Sequence, residues 1–234
     1  MSAYKILGVG SNAKTTKGDG SKYLTGIVYL APAKSVEGMN VCPMAIIAGC
    51  FNACLYKAGR GVMAPVEKAR VKKTIMLRDN PKEFFRLLRL DLAMLERRCL
   101  KNNVKPVVRF NGTSDKDIIW LAREFPNIQF YDYSKVYNRT NKALPLNYHL
   151  TLSYSEANPV YAKNILNHAR ANNVNVAVVF RTEAGIPKTF KGMPVISGDK
   201  DDLRFLDPSN EPHVIALYAK GPAKKDYSGF VIDA

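Results

Sequence analysis

The sequence predicts an α/β fold: a mostly parallel sheet curled into a partial (β/α) barrel, in one domain over residues 1–234. Three observations carry this expectation. Short runs rich in Val, Ile, Phe and Tyr alternate with helical patterns or ten-residue connections through the second half of the chain, as parallel strands and their crossovers do. Two long segments ahead of them read as helices. Several of the apolar runs also end in small or polar residues, at Asn111 to Asp115, Asp132 to Lys135, Ser153 to Glu156, Arg181 and Asp199. Parallel α/β folds place their sites at such carboxyl ends.

Taken in order, YKILGV is a possible first strand and residues 11–22 form a polar, glycine-containing loop. YLTGIVYLAP (Tyr23 to Pro32) reads as a strand closed by Pro32. A cysteine-rich loop spans residues 40–61. APVEKARVKKTIML starts a helix with Pro65 in its first turn. In NPKEFFRLLRLDLAMLERRCLKNN, Asn80 is placed to cap, Pro81 suits the first helical position, and Glu83 stands three after Asn80. Phe84, Leu88, Leu92, Leu95 and Cys99 recur on one face of that helix. KPVVRFNGTSD is a strand running into a polar loop, and DKDIIWLAREF a short helix. NIQFYDYSK and NYHLTLSYS are strands, and PVYAKNILNHARANN is a helix. NVAVVFRT, MPVISGD and HVIALYAKG are the remaining strands.

With 234 residues and 47% hydrophobic content, the chain is long and apolar enough to bury a core, so disorder is not expected. No apolar run reaches the roughly 18 residues of a membrane helix, and MSAYKILGVGSNAK lacks the pattern of a signal peptide. A cytoplasmic setting follows as the expectation, with thiols kept reduced. The net charge of +15 suits a polyanionic partner such as nucleic acid, or serves solubility.

The most informative stretch is NVCPMAIIAGCFNACLYKAGRG (Asn40 to Gly61). It holds three of the four cysteines, and Val41 to Tyr56 carries no charge. The spacing is Cys-x7-Cys-x3-Cys. Zinc fingers repeat close pairs, whereas here only Cys50 and Cys54 form one. Three thiolates without a fourth suit an iron–sulfur cluster with one open iron, held by Cys42, Cys50 and Cys54. Gly49, Gly59 and Gly61 would let backbone approach an inorganic core. A structural zinc with a distant fourth ligand, and incidental buried thiols, are the other readings. Cys99 falls on an apolar helix face and reads as core.

YLTGIVYLAPAK, the cysteine stretch, RFNGTSD, QFYDYSKV, NYHLTLSYSEAN, NVAVVFR and DLRFLDP together resemble a family of proteins encoded by tailed bacteriophages, over nearly the whole chain. The resemblance implies a phage origin and action in the host cytoplasm, and carries no activity of its own. The layout, a cysteine loop after an early strand and then alternating helices and strands, is similar to radical S-adenosylmethionine enzymes. Their cysteine spacing is CxxxCxxC, and NGTSD stands here where their glycine-rich motif would be. That likeness implies a 4Fe-4S cluster whose open iron binds S-adenosylmethionine, with Asn111, Ser114, Asp115, Ser155 and Glu156 as the polar groups around the cofactor.

Other motifs weigh less. GVGSNAKT (Gly8 to Thr15) nearly matches a phosphate-binding loop, but Ala13 replaces the glycine and no helix pattern follows. Tyr133 and Tyr137 resemble the paired tyrosines of DNA-nicking enzymes, yet His149, His168 and His213 are too scattered for the metal those need. SGDKDDLRFLDPS gathers Asp199, Asp201, Asp202 and Asp207. It is a solvated turn, a cation site, or a set of acids paired with nearby Lys and Arg.

Overall fold

The computed structural model describes residues 5–10 and 22–233. Residues 11–21, and with them the end of the phosphate-loop candidate, lie outside the described residues. The strands are β1 (Leu7–Val9), β2 (Tyr23–Val28), β3 (Lys105–Arg109), β4 (Gln129–Ser134), β5 (Tyr148–Ser153), β6 (Val176–Phe180), β7 (Thr189–Phe190), β8 (Met193–Ser197), β9 (Val214–Tyr218) and β10 (Val231–Ile232). The α-helices are α1 (Ala64–Asp79), α2 (Pro81–Lys101) and α3 (Pro159–Asn172). The fold is mixed α/β with a mostly parallel, open sheet. Its described strands run in the order β1-β2-β3-β4-β5-β6-β9-β8-β7, with β10 beside β6. The pairings β1–β2 and β7–β8 are antiparallel.

The chain divides into two compact units, each assembled from separated segments. The first comprises residues 1–42, 63–132 and 145–149; the second, residues 43–62, 133–144 and 150–234.

In the first unit, β2 pairs parallel with β3, and β3 with β4. A parallel pair needs a long crossover, and α1 and α2 occupy the one between β2 and β3. The sequence signals for α2 hold at the atomic level. The Asn80 side chain accepts from the Glu83 amide at 3.2 Å, Pro81 opens the helix, and the buried residues are Phe84, Leu88, Leu92, Leu95 and Cys99. Phe110 and Phe130 stack beneath, ring centroids 4.7 Å apart. DIIWLAREF is not an α-helix. It forms a 3-10 turn over Ile119–Glu124, in which Ile119, Leu121 and Ala122 are all buried. So short a segment, apolar on several sides, is held by packing rather than by helical periodicity.

Two polar side chains on the helices grip neighbouring backbone. Asp91 of α2 accepts from the Ile6 and Leu7 amides at 2.7 and 2.9 Å. Lys73 of α1 donates to the Ile6 carbonyl at 2.7 Å. Burial lowers the Lys73 pKa, and the Asp91 carboxylate partly offsets this. The Asn147 amide donates towards the carbonyls of Ala122, Phe125 and Ile128, each 2.9 to 3.0 Å away, which fixes the chain between the 3-10 turn and β5.

In the second unit, β6 pairs parallel with β5, β9 and β10. The Asn158 side chain caps α3 by accepting from the Tyr161 amide at 2.9 Å, Pro159 follows, and Asn173 ends the helix in the left-handed region. Tyr161, Ala162, Ile165 and Ala169 form its buried face. Among the described residues, no helix is long and apolar enough to cross a membrane.

Asp91→Ala should loosen β1 specifically. It leaves two part-buried amides without their acceptor, a loss of about 1–3 kcal/mol. Urea unfolding should show that loss. Hydrogen exchange should accelerate at the Ile6 and Leu7 amides well before it does in the body of α2.

Candidate thiol site and the strand-end loops

None of the four cysteines forms a disulfide. Cys99 is fully buried, and burial pushes its thiol pKa up, as expected of an inert core cysteine. The other three are only partly buried. Among the described residues, no group of three or more His, Cys, Asp or Glu is assembled to hold a metal ion. Cys42 belongs to the first unit, and Cys50 and Cys54 to the second.

In the first unit, the chain after β2 is laced to the loop after β3. The Gly112 amide donates to Val28 O at 3.0 Å, and the Asp115 amide to Val41 O at 2.7 Å. The Thr113 hydroxyl donates to Leu30 O at 2.6 Å. Cys42 lies on this seam: its amide donates to the Asn40 side chain at 2.9 Å, and its sulfur is 3.8 Å from the Thr113 carbonyl. The first cysteine therefore sits beside the carboxyl end of β3.

The loop after β3 is organised by Asn111, which is 2% exposed. Its side-chain oxygen accepts from the Ser114 hydroxyl and the Lys116 amide, both at 2.8 Å. Its amide group donates to Lys116 O at 3.1 Å and to Asp132 at 3.2 Å. The structure thus brings Asn111 and Ser114 together, and places the mostly buried Asp115 in the same loop.

Asp132, from β4, has no exposed surface. The sequence puts it at a polar strand end but assigns it no role. A charged residue inside the apolar run of a strand buried on both faces is the signal that points to it. Its carboxylate accepts from the Asn111 amide at 2.7 Å and from the Tyr148 hydroxyl at 2.8 Å. Burial raises its pKa to about 6, against the opposing pull of Tyr148, Arg109 and Asn111.

In the second unit, residues 44–51 fold upon themselves. The Ala48 amide donates to Met44 O at 2.9 Å, and the Phe51 amide to Ala45 O at 3.2 Å. The Cys50 thiol is 3.6 Å from Ala45 O. The uncharged stretch is not a buried plug. Ala45, Ala48 and Ala53 are buried, while Ile46, Ile47 and Phe51 are exposed. Ala53 packs with Ala219, Ala223 and Val231, which sets the loop against the carboxyl end of β9 and against β10.

The other two cofactor candidates have partners in this unit. Ser155 donates to Gly229 O at 3.2 Å and accepts from the Ala157 amide. Glu156 accepts from the Tyr154 hydroxyl at 3.2 Å and pairs with Lys191 at 2.9 Å. Burial, ahead of Glu156, raises the Tyr154 pKa. In the acidic loop, Asp199 pairs with Lys220, while Asp201 and Asp207 face the buried Arg204 at 3.2 and 3.3 Å. Those acids are matched to bases.

The Asp132 network gives a signed pH dependence. Unfolded, this carboxyl ionises near the usual 4; folded, near 6. Between those values the native state holds a proton the unfolded state has released, so stability falls as pH rises from 4 to 6. The contribution is about 2–3 kcal/mol. Urea unfolding between pH 4 and 7 should show this fall in the wild type and a smaller one in Asp132→Asn, which keeps the part due to Asp207, whose pKa burial also raises to about 6.

No curated protein and no solved structure is significantly similar to the chain. The model of one family, Gene product 88, matches residues 5–234, and the chain belongs to that family.

Proposed function

We propose that this member of the Gene product 88 family is a phage-encoded iron–sulfur protein of the host cytoplasm, with Cys42, Cys50 and Cys54 as the ligands of a 4Fe-4S cluster. One observation carries the reading. Free cysteine is ordinarily among the most buried residue types, and Cys99 behaves so. The other three are partly exposed, each in a loop at the carboxyl ends of parallel strands, where α/β folds place chemistry. Incidental core thiols would not be distributed in this way. The donor set fits a thiolate-demanding metal, and metal binding would draw the thiols into coordination, since ligand placement and metal affinity are coupled.

In this reading the sheet is the partial barrel of a radical S-adenosylmethionine-type enzyme. A cluster with one open iron supplies electron transfer to S-adenosylmethionine. The protein's part is to shape the loops. Asn111 and Ser114 fix the loop beside Cys42, Ser155 fixes the end of β5, and Asp115 and Glu156 are the carboxylates in those loops.

A second reading has one specific observation behind it. Residues 64–101, the span of α1 and α2, hold eleven Lys and Arg against five Asp and Glu, and α1 buries only Thr74 and Leu77. A nucleic-acid-binding protein with a structural zinc or cluster would use such a basic helical surface.

Anaerobic iron, zinc and sulfide analysis tests the first reading. Alanine at Cys42, Cys50 or Cys54 should abolish metal content, and Cys99→Ala should retain it. The reduced, reconstituted protein should convert S-adenosylmethionine to 5′-deoxyadenosine. Zinc without sulfide, or no cleavage, would move the assignment to the second reading. That reading requires nucleic-acid affinity that falls steeply with salt, as released counterions demand.

A further inference from the structure

The Cys50 loop is held by a turn 179 residues further along the chain. Gly49, immediately before Cys50, has φ +66°, and a Cβ there would lie 2.5 Å from the Ser228 hydroxyl and 2.8 Å from Ala157 Cβ. The Ser228 hydroxyl is 3.1 Å from the Gly49 carbonyl, one of the acceptors that share its single proton. The same hydroxyl lies 2.9 and 3.1 Å from the two Asp226 oxygens. One Asp226 oxygen also accepts from the Val231 amide at 3.2 Å, fixing the entry to β10.

The turn 226–229 is itself anchored twice. Gly229 has φ +92° and closes on the end of β5, where a Cβ would lie 2.7 Å from the Ala157 amide nitrogen. Its carbonyl accepts from the Glu156 amide at 2.8 Å and from Ser155. Arg181, at the end of β6, donates to the Asp226 carbonyl at 2.7 Å, and it pairs with both Asp233 oxygens at 2.7 and 3.0 Å. Its guanidinium lies over the Tyr227 ring, 4.6 Å from the centroid.

We infer that residues 226–229 form a clamp whose Ser228 hydroxyl, oriented by Asp226, positions the Cys50 loop. Ser228 is a positioning residue acting through Gly49. The inference rests on the thiol-site reading for what the loop is held to do, but its geometry stands apart from any metal. A serine shared between a carboxylate and the carbonyl next to Cys50 sets the backbone on which that thiol is presented. Arg181 carries the constraint from the turn into the sheet.

The test uses the full-length, metal-free, reduced chain. Iodoacetamide labelling is followed at each cysteine by peptide mass spectrometry, with Cys99 as the internal measure of global opening. Ser228→Ala should raise the labelling rate of Cys50 about three- to tenfold, the range expected from losing one hydrogen bond that closes the loop. Cys99 should be unaffected. Ser228→Thr, which keeps the hydroxyl, should restore the wild-type rate, and Asp226→Asn should give an intermediate one. An unchanged Cys50 rate in Ser228→Ala, or an equal rise at Cys99, would overturn the clamp. Metal uptake is measured separately on the same proteins. If the wild type takes up no metal while Ser228→Ala still exposes Cys50, the iron–sulfur reading falls and the clamp stands.

Discussion

Parallel pairing is the constraint on which most of this structure depends. Two parallel neighbours cannot be joined by a tight turn, so the chain must travel back along the sheet between them. Every departure from a carboxyl end then begins with backbone groups that have left the ladder and need partners. The loops after β2 and β3 satisfy one another through Val28, Leu30 and Val41 on one side and Gly112, Thr113 and Asp115 on the other. At the carboxyl ends of β6 and β5, Arg181 and Gly229 take part in the corresponding bonds of the second unit. The polar residues that cluster at strand ends are there first because unpaired backbone is costly, and only then because chemistry can use them.

That double role explains what the sequence did and did not reveal. Helix α2 was legible because cap, proline and apolar stripe agree with one another, and each acts within a few residues. The larger strands were legible as apolar runs bounded by turn residues. The two-residue strands β7 and β10 were not, because a pair of residues has no periodicity to detect. Asp91 looks like an ordinary polar residue of a helix, and only the tertiary fold reveals the Ile6 and Leu7 amides it receives. Likewise, Ser155 and Glu156 are conspicuous as polar strand-end residues, but their partners Gly229 and Lys191 are far along the chain.

The thiols show the same limit from another side. Spacing and the absence of charge mark the stretch from Val41 to Tyr56 as unusual, but a stretch without charge does not say which residues face inward. In the fold, Val41 and Tyr56 at its two ends and three small alanines between them are buried, and the larger Ile46, Ile47 and Phe51 remain exposed. Between its buried ends the loop packs through alanines, Ala53 among them against Ala219 and Ala223.

The separation of 179 residues between Gly49 and Ser228 also has a meaning in time. A ribosome delivers the cysteine loop early and residues 226–232 much later. Until residues 226–232 have been made, the loop lacks the turn that shapes it and the strand β10 against which Ala53 packs. Cys50 and Cys54 are thus presented in their final setting only after residues 226–232 have been translated, so a chain stalled before them exposes these two cysteines in an unshaped segment. The setting of these two thiols is completed after that of Cys42, whose seam is made with Thr113, in an order set by the direction of translation itself.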